Sequence, residues 1–174
     1  IRIANRHPRV NILQPGPGVG GHCIAVDPWF LVHSAPEQTP LIRTAREVND
    51  GKSDYVVKRA RALVASRPGA TVACLGLAFK PDVDDFRESP ALKVAARLAS
   101  DFGNRMLVVE PHATILPPEL EATGARLAPL SDALAFAEVL ILLVDHREFL
   151  AIDEAALAGK AIYDTRGCLS KPAS

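Results

Sequence analysis

The chain has 174 residues, with 20 Lys and Arg balanced by 20 Asp and Glu, 48% hydrophobic residues, 14 Pro and 11 Gly. That length supports one substantial core rather than two full domains, and zero formal charge with no basic run longer than two residues argues against nucleic acid or an anionic membrane as partner. The most apolar run, residues 139–144, is far shorter than the about 18 residues that cross a bilayer, and three cysteines without CxxC spacing, at 23, 74 and 168, fit the reduced thiols of a soluble cytoplasmic protein.

In chain order, no Met opens the sequence, and Ile1 to Arg6 reads as the last turns of a helix whose beginning is missing, so a fragment is expected. Pro8 ends that helix, and Asn11-Ile12-Leu13 leads into residues 14–21, a Gly- and Pro-rich stretch that forms a shaped loop. After Pro40, the spacing of Leu41, Ala45, Val48, Tyr55, Val56, Ala60, Leu63 and Val64 predicts a long connecting helix. Arg67-Pro68-Gly69 stops it, and Asn49-Asp50-Gly51 marks a point where it bends or breaks. From Ala70 the pattern alternates: strands over 71–77, 105–109, 139–144 and 160–163, with helices over 90–102, near 131–137 and around 146–157. Such alternation predicts βαβ units and a parallel sheet with helices on both faces, an α/β fold of Rossmann-like type preceded by the connecting helix.

Open parallel sheets bind ligands beyond the carboxyl ends of their strands, which directs attention to residues 76–87, 110–112, 145–146 and 164–166. The first tip lacks GxGxxG spacing, but Ser89-Pro90 is an N-cap followed by a first helical residue, which leaves helix amides available to phosphate. Lys80 and Arg87 supply cations there, either for a diphosphate or for Asp82, Asp84 and Asp85 in a solvated loop. Cys23 follows eight residues of which six are Gly or Pro. If it opens a helix, Asp27 shares its face and the terminal amides favour the thiolate; if Asp27 is instead the N-cap before Pro28, Cys23 lies in the loop. Buried core is the alternative for Cys23 and the expectation for Cys74, with a surface position for Cys168. His22, Cys23, His33, His112 and His146 have no zinc-site spacing, so no metal is expected, and no GxSxG elbow is present.

Residues 16–30, Gly-Pro-Gly-Val-Gly-Gly-His-Cys-Ile-Ala-Val-Asp-Pro-Trp-Phe, and residues 76–90, Gly-Leu-Ala-Phe-Lys-Pro-Asp-Val-Asp-Asp-Phe-Arg-Glu-Ser-Pro, together resemble the UDP-glucose/GDP-mannose dehydrogenase family. The resemblance implies three units: the end of a central helical domain with a catalytic Cys loop (1–35), a connecting helix (36–68) and a UDP-sugar-binding Rossmann-like domain (69–174). It implies NAD-dependent, two-step oxidation of a sugar C6 alcohol to a carboxylate through a cysteine thiohemiacetal and thioester. Carried over by motif, Cys23 is the nucleophile and Asp27 assists the water and proton steps. Gly16, Gly18 and Gly20 lie against the sugar diphosphate, while Phe79, Lys80, Asp82 and Arg166 reach the substrate. Arg87 approaches NAD, and His7 and Arg9 serve the partner subunit's site in a homodimer. The structural alternatives are a helix-end cap for His7 and Arg9 and an Asp164 pair for Arg166. The form Gly-His-Cys-Ile-Ala-Val-Asp-Pro-Trp-Phe implies UDP-N-acetylmannosamine as substrate, with UDP-glucose, UDP-N-acetylglucosamine and GDP-mannose as alternatives. The segments that carry the family's NAD-binding glycine fingerprint and its catalytic lysine and asparagine are not in this sequence, so the chain alone is expected to be inactive. A rival reading is a non-catalytic nucleotide-sugar-binding or dimerisation module.

Overall fold

The structure is a computed structural model that describes residues 3–9 and 13–169. Ile1 and Arg2 of the expected helix ending, and Asn11 and Ile12 before the loop, lie outside the described residues. Ala4–Arg6 is a single 3₁₀ turn, and two helices follow: α1 (Asp27–Ser34) and α2 (Pro40–Ala65). The remainder alternates as β1 (Val72–Leu75), α3 (Pro90–Phe102), β2 (Met106–Val109), α4 (Pro118–Glu121), β3 (Arg126–Leu127), α5 (Leu130–Phe136), β4 (Val139–Leu142), α6 (Arg147–Leu150) and β5 (Ala161–Asp164). The strands form one parallel sheet in the order β3-β2-β1-β4-β5, the α/β, Rossmann-like arrangement expected from the alternation.

The strands are shorter than their apolar runs, because the flanking residues turn away into the loops at the strand ends. Alternation within the strands builds two cores. Val72, Cys74, Val108 and Ile141 face α2 and α3, meeting Val56, Val57, Ala60, Val94 and Leu98. Ala73, Leu75, Leu107, Leu140 and Leu142 face the other way onto Ala133, Phe149 and Leu157. Apolar residues on both faces suit a sheet covered by helices on each side. Helix α3 has the bounds its sequence predicts, since Ser89 Oγ accepts from Leu92 N (3.2 Å) and Pro90 sits in the first turn. Helix α2 continues through Asn49-Asp50-Gly51 without interruption. Gly51 is solvent-exposed, and its weak helix propensity is outweighed by the burial of Val56, Val57, Ala60 and Val64 within the next four turns.

Strand order reverses between β1 and β4, and the two loops leaving these strands part there. The contact is close: Gly76, at φ +92°, leaves only 2.5 Å between a hypothetical Cβ and the Cβ of Val144. At the neighbouring tip of β2, Glu110 is buried, with Oε2 accepting from Leu77 N (2.6 Å) and Ala78 N (3.1 Å) and lying 3.2 Å from His146 Nε2. Its Oε1 accepts from His112 N (3.0 Å). Burial pushes the Glu110 carboxyl up, but the bonds from His146, Leu77 and His112 more than offset this and hold it below its ordinary 4.5.

Two outcomes test this account of the tips. Gly76→Ala is expected to cost about 2–4 kcal/mol, from left-handed backbone plus overpacking against Val144. Gly69→Ala, also at positive φ but with nothing within 4 Å, should cost only about 1–2 kcal/mol. Urea midpoints of the two variants compare them directly. Because Glu110 has a depressed folded value, its contribution is complete above the ordinary value of 4.5 and is lost as pH falls through the lower folded one. Glu110→Gln should therefore lose about 1–3 kcal/mol at neutral pH, with the gap to wild type narrowing in acid unfolding curves.

Candidate functional site

A cleft of about 510 Å³ lies between the β1 and β4 tips and the Gly-rich loop that precedes α1. Helix α2 holds that loop from below. Asn49 Oδ1 accepts from Val19 N (2.8 Å) and Asn49 Nδ2 donates to Val19 O (3.2 Å), so one side chain satisfies both backbone groups of a residue that has no strand or helix of its own. Ser53 Oγ donates to Pro17 O (3.4 Å), and Arg46, 8% exposed, donates to Asp50 Oδ1 (2.7 Å) and reaches Ile24 O (3.5 Å). The loop then presses on the start of α3, where a Cβ on Gly20 would collide with Glu88 O and stand 2.5 Å from Pro90 Cδ. Only glycine permits that approach. Gly16 lies against the Arg166 guanidinium, a side-chain end that can shift where the Glu88 backbone cannot.

The cleft walls combine apolar surface from Pro17, Val19, Ile24, Phe79, Leu143 and Val144 with Lys80, Asp145 and Arg166. Lys80 Nζ lies 5.4 Å from the Phe79 ring centroid. Arg166 Nε is 2.9 Å from Asp145 Oδ1, yet neither atom makes an aligned hydrogen bond and both are shielded from solvent. The anticipated Arg166–Asp164 side-chain pair does not form, because the Asp164 carboxylate is taken by four amides, those of Arg166 (2.8 Å), Gly167 (2.7 Å), Cys168 (2.6 Å) and Leu169 (2.7 Å). Asp164 thus fixes the backbone that carries Arg166, while Asp145 faces its side chain. Two cations against one carboxylate leave the cleft net positive, suited to an anionic group beside an apolar one.

Cys23 is exposed in the turn before α1, next to the cleft residue Ile24. Its carbonyl accepts from Val26 N (2.9 Å) and Asp27 N (2.8 Å), so Asp27 follows it by one helical turn. The first sequence reading of this turn is not met, since Cys23 does not open the helix; the second holds in placing Cys23 before it, with the N-cap one residue earlier at Val26 and Asp27 as the first residue of α1. The Arg87 guanidinium reaches the same turn, 3.5 Å from His22 Nδ1. Hydrogen bonding and charge from Asp85, 2.7 Å away, hold Arg87 above its ordinary value, and Cys23 adds to that. The same ion pair draws Asp85 down to about 2. Burial pushes the Cys74 thiol up to about 12, and burial with the charges of Asp164 and Asp145 pushes Cys168 up to about 11.

The structure brings Gly18, Gly20, Phe79, Lys80 and Arg166 to the cleft wall, with Gly16 against Arg166. It does not bring Asp82, His7 or Arg9 there. Asp82 pairs with Arg147 rather than with Lys80, accepting from Arg147 N (3.0 Å) and Nε (2.8 Å). His7 and Arg9 are exposed, and the Arg9 amide donates to His7 Nδ1 (3.3 Å). Asp82, His112 and His146 place one potential ligand atom each within 4.8 Å. Hydrogen bonds already engage the buried imidazole there: Nδ1 accepts from Asp82 N (3.0 Å) and Nε2 faces Glu110. Sequence reasoning missed Asn49 and gave no role to Asp145, Glu110 or His146. An Asn followed by Asp-Gly inside an otherwise periodic helix was the available sign that Asn49 serves a tertiary partner.

Residues 73–171 match the UDP binding domain of the UDP-glucose/GDP-mannose dehydrogenase family, and residues 1–51 match its central domain. The chain is 55% identical to a UDP-N-acetyl-D-mannosamine dehydrogenase of Salmonella typhi over 96% of its length, and spans about 41% of that relative. It is 51% identical to an NDP-N-acetyl-D-galactosaminuronic acid dehydrogenase of Ralstonia solanacearum, over 98% of this chain and 40% of the relative. Among solved structures, a UDP-D-ManNAc dehydrogenase from Pyrococcus horikoshii superposes with a TM-score of 0.77 at 31% identity, covering 99% of this chain and 40% of that one. With one domain match covering residues 73–171 and the order of the two domains preserved, the chain belongs to the UDP-glucose/GDP-mannose dehydrogenase family.

Proposed function

We propose that the chain forms the nucleotide-sugar-binding half of an NAD-dependent 6-dehydrogenase whose substrate is UDP-N-acetylmannosamine. The observation that carries this reading is Arg166, a guanidinium with side chain 17% exposed and an Nε without an aligned partner, in the same cleft as Lys80 and the Gly-rich loop. A diphosphate supplies the acceptors such donors lack, and the apolar wall around Phe79 suits a base. The identity with the Salmonella typhi relative supports UDP-N-acetylmannosamine over UDP-glucose, UDP-N-acetylglucosamine or GDP-mannose.

In this reading the sugar runs from the diphosphate past Ile24 toward Cys23. The Cys23 sulfur bonds to C6 at the aldehyde level and keeps it bound as a thiohemiacetal, then as a thioester, so that no free aldehyde escapes between oxidations. Asp27, one turn on, takes the proton of the water that cleaves the thioester; the carboxylate leaves and the thiolate is restored. Arg87 offers the exposed cation by which this half touches NAD, which when bound would supply the two-electron acceptor for each oxidation. Most of the NAD contact is assigned to parts of the enzyme beyond these 174 residues. His7 and Arg9, off the cleft, serve the partner subunit's site. The exposed apolar residues Leu41, Val48 and Tyr55 on α2 and Phe30 and Leu31 on α1 provide surface for a homodimer.

Calorimetric titration of the chain with UDP is the direct test. Binding is expected, weakened about tenfold or more by Lys80→Ala or Arg166→Ala, and GDP should bind less well; absence of UDP binding would overturn the reading. Iodoacetamide near neutral pH should label the exposed Cys23 ahead of Cys74 and Cys168, whose thiols burial pushes up. Uniform, slow labelling of all three thiols would instead favour a non-catalytic binding module.

A further inference from the structure

Two buried ionisable groups, Glu110 and His146, have no part in the chemistry proposed above. Neither lines the cleft, yet together they engage the backbone at both ends of the segment that carries Phe79 and Lys80. That segment leaves β1 and turns back with no strand or helix to satisfy its amides. Leu77 and Ala78 donate to Glu110 Oε2, Phe79 donates to Asp85 O (3.1 Å), and Asp82 donates to His146 Nδ1 (3.0 Å). Because Nδ1 accepts, the imidazole proton sits on Nε2, where Glu110 Oε2 is the acceptor at 3.2 Å. The ring of His146 is 1% exposed and is held edge-on by Phe149 (5.4 Å between centroids) and tilted against His112 (5.2 Å).

We propose that His146 is a positioning residue: it sets the Phe79–Lys80 wall of the nucleotide cleft through the bond from Asp82 N to its Nδ1, with Glu110 fixing the imidazole and the other end of the same segment. Asp82 has φ +58°, a conformation costly for a residue with a side chain, so the surroundings must hold it. They do so from two sides, with His146 on its amide and Arg147 on its carboxylate. Lys80 lies two residues away, and a relaxed Asp82 would let its ammonium swing off the cleft. The inference rests on the UDP-binding reading for its ligand, but not for the loop geometry.

Three substitutions separate the two nitrogens. His146→Asn keeps an amide oxygen near the Nδ1 position, His146→Gln keeps a donor near the Nε2 position, and His146→Leu keeps neither. UDP affinity by calorimetry, hydrogen exchange of the peptide spanning 77–82, and melting temperature are measured on each. His146→Asn should retain affinity within about threefold, while His146→Gln and His146→Leu lose about tenfold or more and exchange the Asp82 amide faster. The loss should follow which nitrogen is kept, not the melting temperature. Wild-type affinity in all three variants, or losses that follow melting temperature alone, would overturn the proposal. If the wild-type chain itself fails to bind UDP, the functional reading falls, and the exchange data still decide the positioning role: equal protection of Asp82 in the Asn and Gln variants refutes it, and selective protection in the Asn variant upholds it.

Discussion

Val144 presses against Gly76 where the strand order reverses, and the rest of the site depends on that contact. With no side chain at position 76, the tips of β1 and β4 leave the sheet side by side, then diverge into the loops that carry Lys80 and Asp145. A wider separation would carry Lys80, beyond β1, away from Arg166 and Asp145, which stand together on the β4 and β5 side. A parallel sheet makes such a crevice as a by-product of its connectivity, since each strand's loop must cross to one side or the other. What this sequence adds is the close packing that makes the crevice narrow.

The tips are then fixed by carboxylates turned inward. Glu110 gathers the amides of Leu77, Ala78 and His112, and Asp164 gathers four more from residues 166–169. Loops at strand ends have amides and no partners, and an anion that accepts several of them recovers its own desolvation cost in hydrogen bonds. The consequence for charge is indirect. Asp82, Glu110 and Asp164 are all engaged away from Lys80, which leaves the cleft with Asp145 as its one lining carboxylate among the described residues. The anions that shape the site are kept from neutralising it.

Local signals carried much of this into the sequence. Ser89-Pro90 and the apolar spacing that follows define α3, and the rhythm of β-rich runs defines a parallel sheet, because capping and periodicity are properties of neighbouring residues. The glycines around Cys23 marked a loop that must approach something closely. Which cation meets which anion was not legible, as the Arg166 side chain shows: Asp164 is two residues away and already occupied by amides, whereas Asp145, on a different strand tip, faces it. Nor could neighbouring residues reveal that α2 would pass unbroken through Asn49-Asp50-Gly51. The side chain of Asn49 engages Val19, 30 residues earlier, and the apolar face beyond it holds the helix to the sheet.

That unbroken helix has a mechanical consequence. At 1.5 Å per residue, 26 residues make a rod of about 39 Å. Its second half is bolted to the sheet by Val56, Val57, Ala60 and Val64, and its first half grips the Cys23 loop on both sides of the thiol, through Asn49 at Val19 and Arg46 at Ile24. Loop and strand tips are therefore mounted on one splint with no hinge between them, so the span from the Cys23 turn to the Lys80 and Arg166 tips is set by the stiffness of a helix rather than by the slack of the loops.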